Sequence, residues 1–158
     1  MTDWDARFKN LPAKELDKVA LLRMIECTNG TIQYAYRDQQ SYALPWGETI
    51  RAMKFSMHCM KYMKIPLKTK SGKEKVITFE PETAQLLKEV RKLYISGFKM
   101  GNKEDMDEFF VASEASIRAV GEERILKAKK IVETQIEDIP TAQVDWGLRY
   151  IKGFVGWS

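Results

Sequence analysis

The chain has 158 residues, 44 % of them hydrophobic, with 26 Lys and Arg against 22 Asp and Glu and a net charge of +4. That length and composition suit one domain with its own core and exclude a disordered chain. No apolar run approaches the roughly 18–20 residues that span a bilayer, and two cysteines in unlike contexts make no disulfide framework.

In chain order, Trp4, Phe8 and Leu11 recur at helical spacing and predict a short first helix. Pro12 starts a second, with Leu16, Val19, Ala20, Leu22 and Ile25 as its apolar stripe, and Asn29-Gly30 is a natural stop. Ile32, Tyr34 and Tyr36 alternate as in a strand, although the same stretch also suits a helical extension. After Pro45 and Gly47 a helix runs from about Glu48 to Lys64, ended by Pro66. The stretch PLKTKSGKEKVITFE then reads as a β-hairpin over 65–79, turning at Ser71-Gly72. Pro81 opens a helix that buries Leu86, Leu87, Val90, Leu93, Tyr94 and Phe98, and Gly97 and Gly101 loosen its end. Asn102 caps a long helix carrying Met106, Phe109, Phe110, Ile117 and Val120, bent or broken at Gly121. Beyond the bend Ile125, Ala128, Val132 and Ile136 face inward, and Glu123 and Lys127 form an outward pair. Pro140 stops that helix and Thr141 caps the last. The expected fold is mostly α (α+β), a single helical domain of residues 1–158 with a small inserted hairpin.

The modest net charge conceals an uneven distribution. Residues 1–50 carry −1, residues 51–100 carry +8 and residues 101–158 carry −3. From Arg51 to Val76 eight basic residues face a single acid, Glu74, enough to build a local potential that attracts polyanions. On a helical wheel Arg51, Lys54, His58 and Lys61 lie within about 80° of one another. Ile50, Met53, Met57, Met60 and Met63 lie opposite, and Phe55 and Tyr62 border the stripe. Lys64, Lys68, Lys70, Lys73 and Lys75 continue it into the hairpin. Lysines of this kind neutralise phosphates and release condensed counterions, and a bordering aromatic ring stacks on an unpaired base. Arginine, the main reader of guanine edges, is represented in the patch only by Arg51, so the pattern fits backbone contact better than base reading. The competing explanation is plain solvation, since lysines on hairpin edges also prevent sheet-to-sheet association.

The stretch LKTKSGKEKVITFEPETAQLLKEV resembles the β-hairpin and following helix of tyrosine recombinases over about 24 residues. The resemblance implies that Lys68 or Lys70 reaches DNA. The rest of that family's pattern is missing: no His-x-x-Arg pair follows, and no tyrosine stands in the nucleophile's usual context. No recombinase activity is inferred.

Other chemistry has weak sequence support. His58 and Cys59 are adjacent on a helix and point about 100° apart, so with Cys27 they do not converge on zinc without a tertiary coincidence. Glu104, Asp105, Asp107 and Glu108 cluster where a helix dipole favours carboxylates, which explains them without a metal. No phosphate-binding glycine loop or nucleophile elbow is present. The methionines, Met24, Met100 and Met106 included, suit a core with adaptable packing. In the tail, Trp146, Tyr150, Phe154 and Trp157 share one helical side, so this helix either staples the domain or docks on a neighbouring subunit or partner.

The expectation is a small, non-enzymatic nucleic-acid-binding protein of the regulatory or assembly type. It contacts DNA or RNA through Arg51, Lys54, Phe55, His58, Lys61, Tyr62, Lys64, Lys68, Lys70, Lys73 and Lys75. It needs no cofactor or metal, resides in the cytoplasm, since the polar start MTDWDARFKN shows no secretory signal, and has no membrane partner. The alternative is a protein–protein module that meets an acidic protein on the same surface and forms homo-oligomers through Trp146, Tyr150, Phe154 and Trp157.

Overall fold

Two side-chain caps open the helices that bracket the core. In this computed structural model, which describes residues 3–28 and 46–158 (of 46–50 only the backbone), Asp3 accepts the Ala6 amide at 3.1 Å and starts α1, Trp4–Lys9. Asn102 accepts the Asp105 amide at 3.1 Å and starts α5, Lys103–Gln135, as its sequence position predicts. Between them lie α2, Ala13–Glu26, then α3, Trp46–Tyr62, and the strands β1, Lys64–Lys68, and β2, Glu74–Thr78. Helix α4, Pro81–Tyr94, begins with its proline in the first turn and runs into a π-helical turn, Ile95–Lys99. Helix α6, Thr141–Val155, completes the order. The fold is mostly α, with one two-stranded antiparallel sheet among the described residues.

Helix α2 lies at the centre. Val19, Ala20, Leu21, Leu22, Met24 and Ile25 are all essentially inaccessible, which makes α2 buried on nearly every side. It packs along α5, whose Ala112, Ala115, Ser116 and Ile117 are also buried, and α5 in turn meets α1, α4 and α6. The inward positions expected beyond the bend, Ile125, Ala128, Val132 and Ile136, are all buried. Each aliphatic side chain enclosed in this way contributes about 1.5–3 kcal/mol. Charged clasps join the elements at the rim: Lys129, paired within α5 to Glu133 at 2.8 Å, meets Asp145 of α6 at 2.9 Å, and Arg124 meets Asp17 of α2 at 2.9 Å. Glu123 and Lys127 form the expected outward pair at 3.6 Å.

Two glycines have distinct roles. Gly121 sits at φ 83°, ψ 161°, a backbone region almost reserved for glycine, and breaks α5 where a bend was expected. Gly97 does not loosen the end of α4; it is buried, and a Cβ there would lie 2.6 Å from the backbone of Met106. It therefore lets the π-helical turn cross α5 at backbone distance.

Several boundaries differ from the sequence reading. Helix α3 spans 46–62 rather than 48–64, because Met63 turns to φ 52° and the chain extends at once into β1. Pro66 thus stands inside a strand, opposite Val76, rather than closing a helix. A two-stranded ribbon has only edge strands, which tolerate proline. Thr141 is the first residue of α6 and makes no cap; Pro140 precedes it. Helix α2 ends at Glu26, and the Asn29-Gly30 stop and the strand expected around Ile32, Tyr34 and Tyr36 lie outside the described residues.

The buried face of α3 also departs from expectation. Ala52, Ser56, Cys59 and Met63 face the core, whereas Met53 and Met60 are half-buried and Met57 is 44 % exposed. Small side chains occupy the face of α3 that meets the core, and Met57 and Met60 lie to the side, beside Arg91 and Tyr94 of α4. That rotation shapes the surface described next.

Candidate nucleic-acid interface

The outer face of α3 and the end of α4 enclose an open cleft of ≈ 250 Å³. Five basic side chains line it: Lys54, His58 and Lys61 from α3, Arg91 from α4, and Lys99 from the π-helical turn. No carboxylate is among the lining residues, and none of the five is ion-paired with a described residue. The π-helical turn brings Lys99 to the same cleft as Ile95, four residues before it. Such turns often mark functional positions in helices.

Aromatic and apolar groups interrupt the positive lining. Tyr62 is 54 % exposed; its ring centroid is 4.8 Å from that of His58 and 5.3 Å from the Lys61 ammonium. Met57, Met60, Ile95 and Tyr94 complete the cleft. Burial, and secondarily the nearby Glu26 carboxylate, raise the Tyr94 phenol above its ordinary range, so it stays protonated. A smaller apolar cavity of ≈ 20 Å³ adjoins, sharing Met60, Arg91 and Tyr94 and reaching the buried pair of Arg23 and Glu26. That pair is close, 2.6 Å, and Arg23 also donates to Ser116 at 2.7 Å. Burial raises the Glu26 carboxyl, and the Arg23 charge opposes this.

The structure divides the expected contact residues into groups. Lys54, His58, Lys61 and Tyr62 come together in the cleft. Arg51 and Lys68 are partly neutralised from outside the patch: Arg51 lies 3.5 Å from Asp138, and Lys68 lies 3.7 Å from Glu137. Both acids belong to the turn between α5 and α6, so the start of the stripe and the end of β1 converge on that turn. Lys64, Lys70, Lys73 and Lys75 are exposed on the hairpin with no ion pair among the described residues. The hairpin turn is ordered internally: Thr69 and Lys73 are joined by a 2.9 Å backbone bond, and the Gly72 amide donates to Thr69. Phe55 is half-buried against the core and is not an open stacking surface.

Sequence reasoning missed Arg91 and Lys99. Their only signal is a spacing of eight that places both on one side of a helix; which helix they face depends on tertiary packing.

The residues considered for metal binding do not converge. Cys27 and Cys59 are buried and form no disulfide, while His58 is exposed. Among the acids at the start of α5, Glu108 accepts the Trp4 indole N–H at 3.1 Å and Asp105 accepts the Ser96 hydroxyl. Among the described residues no group of three or more His, Cys, Asp or Glu forms a metal-binding cluster, and no helix is long and apolar enough to cross a membrane.

In the tail, Trp146 is buried, and Tyr150, Phe154 and Trp157 pack half-buried against the chain's own core. Trp146 and Tyr150 stack at 6.3 Å, Tyr150 and Phe154 at 5.8 Å, and Phe110 of α5 continues the row. Comparisons of the chain with protein-family models, with curated proteins and with solved structures find no match.

Proposed function

We propose that the chain is a nucleic-acid-binding protein that holds phosphates without catalysing a reaction on them, a regulatory or assembly factor of the cytoplasm. One observation carries this reading: five basic side chains share a cleft that contains no carboxylate. A protein surface that needs charge only for solubility intersperses both signs. Here one sign is concentrated between two helices, and enclosed like charges focus the potential felt by an anion. The exposed lysines of the hairpin extend the reach of the surface along a strand. Backbone contact of this type gives affinity with little sequence preference.

The test is binding of labelled oligonucleotides at low salt by the native chain and by Lys54→Glu/Lys61→Glu. Both lysines are exposed, so the fold tolerates reversal. The variant is expected to lose on the order of tenfold or more in affinity with an unchanged melting temperature. Absence of oligonucleotide binding by the native chain refutes the reading. Binding instead to an acidic polypeptide would favour the protein-partner alternative. The aromatic row of α6 supports that alternative less, since most of it already packs against the chain's own core.

A further inference from the structure

We propose that the cleft between α3 and α4 takes an unpaired nucleotide of a single strand, with Tyr62 as the stacking surface for its base. This rests on the phosphate-binding reading and adds the strandedness of the ligand. The lining is mixed: Lys54, Lys61, Arg91 and Lys99 offer positive charge, while Met57, Ile95 and the rings of Tyr62 and Tyr94 offer apolar surface. A duplex presents phosphates outward and keeps its bases stacked inside, so it has no use for an apolar lining within a cation site. An unpaired nucleotide has both a phosphate and a free π-face, and every base has that face.

Tyr62 is prepared for this role. Its ring is more than half exposed at the rim, and its neighbour His58, tilted by 50°, holds it from one side. The Lys61 ammonium near the ring is on an exposed, flexible side chain and moves readily to a phosphate when a base arrives. Phe55, the other aromatic bordering the stripe, is half-buried against the core, which leaves Tyr62 the more open ring of the two.

The experiment measures affinity for a twelve-nucleotide oligothymidine and for a mixed-sequence duplex of equal length, at one salt concentration. The native chain is expected to prefer the single strand by tenfold or more. Tyr62→Ala is expected to lose about 10- to 100-fold on the single strand and to leave the duplex unaffected, with Tyr62→Trp restoring the loss. Because Tyr62 is exposed, a melting curve confirms that the alanine variant is folded. Equal affinity for the two probes, or an unchanged single-strand affinity in Tyr62→Ala, overturns the inference while salt-dependent binding leaves the broader reading standing. Failure of both probes to bind overturns both. Polyglutamate competing as well as the oligothymidine would show that charge alone is recognised and would also overturn it.

Discussion

At the scale of single residues, buried ionisable groups hold elements together and make stability depend on pH. Glu15, 2 % exposed on α2, accepts the backbone amide of Glu80 at 2.7 Å, at the start of α4, and pairs with Lys18 at 2.7 Å. Burial alone would raise its carboxyl, but Lys18, the Glu80 amide and Thr83 outweigh burial and hold it below the ordinary glutamate range. The unfolded chain therefore binds this proton at higher pH than the folded one. The stabilisation is complete above the ordinary glutamate range and is lost as pH falls toward the folded value. Glu15→Gln is expected to cost about 1–3 kcal/mol at neutral pH and to flatten the acid limb of a plot of Tm against pH; an unchanged acid limb would show that Glu15 does not contribute to it. Cys59 makes a second case, since burial, and then the charge of Glu26, push its thiol up to about 12. Neither cysteine is expected to react with a thiol reagent faster than the chain unfolds, and rapid labelling at neutral pH would contradict their burial. At this scale the sequence was informative where the chemistry is local, as with Asn102 capping α5 and the Glu123–Lys127 pair. It was silent on Glu15, because a carboxylate on the wet face of a helix and one clasping a distant amide look the same in one dimension.

At the scale of elements, helix crossings decide what the surface offers. The hairpin, the proline at the start of α4 and the break at Gly121 were legible because each depends on a backbone property of its own residues. The rotation of α3 was not. By hydrophobicity its methionines make the better inner face, but the small side chains of Ala52, Ser56 and Cys59 take most of it, with Met63 the one methionine of the set that is fully buried. As a consequence Met57 and Met60, displaced from the core face, line the cation cleft. Two glycine substitutions test the crossings. Gly97→Ala puts a Cβ 2.6 Å from the Met106 backbone and is expected to lower stability by about 1–3 kcal/mol or more, seen as a fall in Tm. Gly153→Ala, within α6 and with nothing near the added methyl, is expected to raise stability by about 0.5–1 kcal/mol. Equal effects of the two would mean that the π-helical turn and α5 do not cross closely at Gly97.

At the scale of the whole molecule, charge placement sets the electrostatic potential over the surface. The acidic last third does not simply oppose the basic middle. Among the described residues Glu137 and Asp138 pair only with Lys68 and Arg51, at opposite ends of the stripe-and-hairpin connection, and neither lines the cleft. These exposed pairs stabilise the fold by little, about 0–1 kcal/mol each, but they occupy two cations that a phosphate would otherwise meet. Glu137→Gln/Asp138→Asn is therefore expected to tighten oligonucleotide binding about two- to tenfold at low salt, with Tm almost unchanged; weaker binding would show that the turn supports the site rather than competing for it. The uneven charge was visible in the sequence, but its division into a cleft, a bridged pair and a hairpin depends on the fold. The most direct measurement is the salt dependence of single-strand affinity. Four lysine and arginine side chains in the cleft predict that log K falls against log salt with a slope of about −3, steepening to about −5 if Lys70, Lys73 and Lys75 also bind phosphates. Removing Lys54 should reduce the slope by about 0.7. A slope near zero, or one unchanged by Lys54→Ala, would contradict the assignment of this cleft to phosphate.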